Sequence, residues 1–72
     1  MDAEAIKALR SEMRLPQHAF AEQIGVEQAT VSRWETGRTQ PSRAAARLLQ
    51  RLARQVGRKA RNGAARANGS AE

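Results

Sequence analysis

Between Ala3 and Met13 the larger apolar residues are Ile6, Leu9 and Met13, three or four positions apart, the spacing of one helix face. Asp2 is placed to cap this first helix, and Glu4 sits in the favourable first turn. Leu15-Pro16 interrupts the pattern, because proline biases the residue before it away from the α region. A second helix is predicted from about Pro16 to Ile24, with Ala19, Phe20 and Ile24 as its apolar members. Gly25 ends it by supplying the left-handed conformation that a sharp turn between helices requires. A third helix follows from about Gln28 to Thr36, closed by Gly37. After the loop Arg38-Thr39-Gln40-Pro41, Ser42 caps a fourth helix reaching about Val56 or Arg58. Residues 59–72 are Ala, Gly, Asn, Ser and basic residues without apolar periodicity. A flexible tail is expected there, beyond a domain of residues 1–58.

The third helix has two unlike sides. At roughly 100° per residue, Glu27, Val31 and Trp34 share one side, and Gln28, Ala29, Ser32 and Arg33 share the other. Val31 and Trp34 can pack on Phe20 and Ile24. The opposite side is small or polar and holds two good base-reading side chains, since Gln matches adenine and Arg matches guanine through paired hydrogen bonds. Two short helices joined by a glycine-containing turn form the DNA-binding helix-turn-helix, whose second helix enters the major groove. Helical bundles also use such turns, so the turn by itself is a weak signal.

Bulk composition narrows the class. The chain has 72 residues, enough for one domain, and much of its apolar content is alanine. So thin a core suits short helices at close range and leaves little to line a deep ligand pocket. Cysteine is absent and His18 is the single histidine, so no metal site, cofactor or thiol chemistry is expected. No nucleophile–base set or carboxylate pair points to an enzyme. The acidic start is unlike a signal peptide, and no apolar run is long enough for a membrane span, so a soluble cytoplasmic protein is expected.

The net charge of +6 is unevenly spread, with most of the basic residues after position 37. That asymmetry favours a polyanionic partner, nucleic acid before membrane, although a general bias toward Ala and Arg would also raise the charge. Arg43, Arg47, Arg51, Arg54 and Arg58 fall within an arc of about 80° on the fourth helix. Ala45, Leu48, Leu49, Leu52 and Val56 lie on its far side. Three readings of the stripe stay open: phosphate contact from its first arginines, docking of an acidic partner such as a toxin, or a solvated face.

The segments Leu15-Pro16-Gln17-His18-Ala19-Phe20-Ala21-Glu22-Gln23-Ile24-Gly25-Val26 and Thr30-Val31-Ser32-Arg33-Trp34-Glu35-Thr36-Gly37-Arg38 resemble the Xre/Cro family of phage and bacterial repressors. The likeness covers about residues 5–55. Its continuation through Pro41-Ser42 into an Ala/Leu-rich helix looks most like HigA- and MqsA-type antitoxin domains. The resemblance implies an all-α, four-helix, lambda-repressor-like domain. In that likeness Gln28, Ala29, Ser32 and Arg33 are base-facing, while Gln17, Thr30, Arg38 and Arg43 meet the DNA backbone. Gln17 would also buttress Gln28, and Arg10 and Glu35 would form a partly buried ion pair between the first and third helices.

The implied activity is sequence-specific binding of double-stranded DNA at an inverted-repeat operator, by a homodimer that represses its own small operon. Leu49, Leu52 and Val56 are candidates for the dimer contact. The alternative is an antitoxin whose main work is to neutralise a toxin protein. Three positions depart from the family pattern: Arg14 where a glycine is usual, Pro16 where a Ser or Asn cap is usual, and Glu27 where a Ser or Thr cap is usual.

Overall fold

The computed structural model describes the backbone of residues 1–70 and the side chains of residues 1–58. Four helices follow one another: α1 (Ala3–Met13), α2 (Gln17–Ile24), α3 (Gln28–Glu35) and α4 (Arg43–Ser70). The backbone of α4 runs on to Ser70, past the end expected near Val56 or Arg58, and the side chains of the tail expected over 59–72 lie outside the described residues.

The helix boundaries up to the start of α4 have local causes. Asp2 Oδ1 accepts a hydrogen bond from the Ala5 amide at 2.8 Å and so caps α1. At the other end Arg14 adopts the left-handed conformation, φ 58° and ψ 39°, and is the one non-glycine residue with positive φ among those described. Pro16, extended at ψ 166°, precedes α2 and provides no side-chain cap. Gly25 at φ 88° closes α2, donating its amide to the Ala21 carbonyl at 2.8 Å. A Cβ at position 25 would meet nothing within 4 Å, so glycine serves the backbone angle there and not a close contact. Ser42 Oγ caps α4 by accepting from the Ala45 amide at 3.2 Å.

The helices close around Ile6 and Leu9 of α1, Phe20, Ala21 and Ile24 of α2, Val31 and Trp34 of α3, and Ala45 and Leu49 of α4. Phe20, Ile6, Leu49 and Val31 are fully buried. In α2 the alanine that enters the core is Ala21, whereas Ala19 is half-buried. In α4 the adjacent leucines separate: Leu49 is buried, and Leu48, expected on the same side, is 40% exposed. Leu52, Ala53 and Val56 pack at the edge of the cluster. Because Leu49 belongs to this chain's own core, it is not available as the dimer contact that its position in the sequence offers. α3 and α4 each pack against both α1 and α2, and α2 with α3 forms the most extensive of these contacts.

Candidate nucleic-acid interface

The helix that carries the candidate base-reading residues is short, eight residues, and its position depends on its neighbours. Val31 and Trp34 anchor one side of it in the core. Three residues, Gly25-Val26-Glu27, connect it to α2, and the Val26 amide bonds the Ala21 carbonyl at 3.0 Å. This short hydrogen-bonded connection fixes the direction in which α3 leaves α2.

A buried polar network sets the far end of α3. Glu35 is 5% exposed, the one charged residue in the core among the described residues. Arg10 Nε donates to its Oε2 at 2.6 Å, and Arg10 Nη2 donates to its Oε1 at 3.0 Å, a two-pronged ion pair from α1 to α3. Gln17 Nε2, at the start of α2, donates to the same Oε1 at 3.1 Å. Arg10 Nη1 also donates to the Leu15 carbonyl at 3.1 Å, tying down the turn between α1 and α2. One carboxylate thus joins three helices and the turn between two of them. Among the described residues no buried side-chain nitrogen or oxygen lacks a partner.

The electrostatics of the network follow from this geometry. Burial is the largest influence on the Glu35 carboxyl and favours its neutral form. The hydrogen bonds from Arg10 and Gln17, with the positive charges of Arg10 and Lys7, together outweigh it and hold the group below the usual carboxylate range. The bond to Glu35 strengthens the hold of the Arg10 guanidinium on its proton.

On the outer side of α3, Gln28, Ala29 and Arg33 are exposed and Ser32 is half-buried. Thr30 is half-buried at the flank. Arg38 and Arg43 are exposed in the loop after α3 and at the start of α4. The Arg38 amide bonds the Arg33 carbonyl at 2.9 Å, which folds the chain back at the end of α3. Gln17 is half-buried, and its hydrogen bond goes to Glu35, not to Gln28. Glu27 precedes α3 in an extended conformation, exposed and without a side-chain cap bond.

Sequence reasoning missed the Gln17–Glu35 and Arg10–Leu15 bonds. A partly apolar turn beside an arginine carries no pattern that announces them. An open hollow of about 400 Å³ lies elsewhere, lined by Met13, Leu15, Gln23, Leu52, Gln55 and Val56. It contains no titratable side chain with which to do chemistry. Among the described residues no group of His, Asp or Glu is arranged to hold a metal ion, and no helix is long and apolar enough to cross a membrane.

A family model described as Helix-turn-helix matches residues 6–61 of the chain. The chain belongs to the helix-turn-helix family, of the Xre/Cro type. Neither the curated proteins nor the solved structures contain a match to it. The family match makes this helix-turn-helix chain a DNA-binding regulator of transcription. In that frame α2 and α3 are the paired helices, the second of which enters the major groove in helix-turn-helix domains.

Proposed function

We infer that this helix-turn-helix protein is a sequence-specific repressor that binds an inverted-repeat operator as a homodimer and controls its own small operon, of phage, anti-CRISPR or toxin–antitoxin type. The observation that carries the reading is the outer side of α3. Gln28, Ala29, Ser32 and Arg33 lie together there, on a helix whose other side is locked into the core. Arg33 is the candidate reader of guanine and Gln28 of adenine, while Ala29 suits a thymine methyl. Gln17, Thr30, Arg38 and Arg43 would fix the register against the phosphates. Gln17 can do so through atoms other than the hydrogen that it gives to Glu35.

Dimerisation rests on energetics. A single eight-residue helix spans only a few base pairs, so two copies on half-sites about one helical turn apart supply the remaining specificity. Leu52 and Val56, half-buried at the edge of the core, remain as contact candidates.

The test is a fluorescence-anisotropy titration at physiological salt, comparing DNA from upstream of the protein's own gene with a scrambled duplex of equal length. A gap of about three decades or more is expected. Equal, weak and salt-sensitive binding to both, with a stable protein co-purifying, would favour the antitoxin reading.

A further inference from the structure

The arginines of α4 form a surface that base reading does not use. Arg43, Arg47, Arg51, Arg54 and Arg58 are all exposed, and none forms a salt bridge among the described residues. On a helix they make a stripe about 22 Å long and about 80° wide. The residues that α4 buries, Ala45 and Leu49, lie on the other side of the helix, against α1 and α2. The stripe therefore points away from the core, on a different element from the base-facing side of α3.

Four kinds of acidic partner could meet such a stripe, and the rest of the molecule separates them. An anionic membrane surface takes an amphipathic helix by its apolar face, but here that face is already in the core. A protein interface of useful strength is built around a desolvated apolar or aromatic centre. The stripe has none: Phe20 and Trp34, the chain's two aromatic residues, are both buried, and Leu48 stands beyond the stripe's edge. The lack of exposed aromatics likewise removes the stacking platforms that single-stranded nucleic acid uses. What remains is the regular phosphate array of a duplex, which guanidinium groups bind in paired hydrogen bonds without reading bases.

We propose that the α4 stripe, from Arg47 to Arg58, is a second DNA-binding surface, one that grips duplex phosphates regardless of sequence and outside the groove that α3 enters. It raises the local concentration of the protein on DNA and extends its footprint beyond the operator. The inference does not depend on base reading by α3.

Its test uses the full chain and a short duplex of scrambled sequence, with affinity measured across a range of salt. Two double variants carry the same net charge: Arg51→Gln/Arg54→Gln on the stripe, and Lys7→Gln/Arg14→Gln on α1 and its C-cap. Each lost phosphate contact takes about 0.9 from the slope of log affinity against log salt, so the stripe variant should lose up to about 1.8. The α1 variant should keep the wild-type slope. Equal slopes for the two variants would overturn the proposal. So would an unchanged duplex slope together with lost binding of polyglutamate, which would assign the stripe to an acidic polypeptide. An operator preference that survives while the slopes are equal defeats the stripe alone. A slope difference without any operator preference defeats the reading of α3 alone.

Discussion

Arg14 holds φ 58° and ψ 39°, a conformation in which an L side chain crowds its own backbone. Its amide still bonds the Ser11 carbonyl at 3.0 Å, so the strain is local and the turn forms despite it. Replacement by glycine removes the crowding, at the cost of a more flexible unfolded chain. Arg14→Gly should therefore stabilise the fold by up to about 1 kcal/mol, read as a raised melting temperature. A lowered one would show that the Arg14 side chain contributes more than its backbone angle costs.

Glu35 is the residue on which the most connections converge. Removing the carboxylate leaves Arg10 partly buried without a counter-charge, and Glu35→Ala should cost about 3 kcal/mol or more. The sign of the pH dependence follows from the direction of the shift. A carboxyl held below its ordinary value of 4.5 contributes stability that is complete above that value and lost as pH falls through the lowered one. The stability gap between wild type and Glu35→Gln, measured by denaturant unfolding, should be wide at neutral pH and narrow in acid below the ordinary carboxylate value. A gap that does not change with pH would mean that the ionised form has no special place in the fold.

At the scale of the elements, α3, like α2, is not self-sufficient. Eight residues are too few to form a stable helix alone, and no side chain caps its start. It is held at one end by the turn from Gly25 and at the other by Glu35. Glu27→Ser would give the free amides of the first turn an acceptor and remove a negative charge from the end nearest the phosphates. The variant should gain about 1 kcal/mol of stability and bind duplex DNA more tightly. A melting curve and a DNA titration check the two effects separately, and a gain in stability with weaker DNA binding would place Glu27 in a favourable contact instead.

At the same scale, the boundaries up to the start of α4 were legible in the sequence because Pro16, Gly25, Gly37 and Ser42 mark them chemically, whereas the end of α4, which runs to Ser70, has no such marker near Val56 or Arg58. The pairing of neighbouring residues with core or solvent was less so. Leu48 and Leu49 are both leucine and differ only by the roughly 100° turn between consecutive positions, so the phase of α4 against its neighbours decides which is buried. Ala19 and Ala21 pose the same problem on α2. The network around Glu35 connects residues 18 and 25 positions apart, and local periodicity carries no information about such contacts. Arg10 and Glu35 came into view as a pair through the family resemblance, not through spacing.

Across the whole molecule, the larger apolar residues are mostly engaged in packing α3 and α4 against α1 and α2. The polar and basic residues are left on the outer surfaces. The outer side of α3, proposed to face the bases, and the arginine stripe of α4 are separate outer surfaces, one suited to discrimination and one to charge. Sequence reading is proposed for the first of them. It is tested most directly by selecting duplexes from a randomised pool with wild type and with Arg33→Ala, and comparing the base preferences position by position. Arg33→Ala should relax a preference for guanine at one position in each half-site, costing about 1–3 kcal/mol there, and leave the other positions unchanged. An identical profile for the two proteins would contradict it.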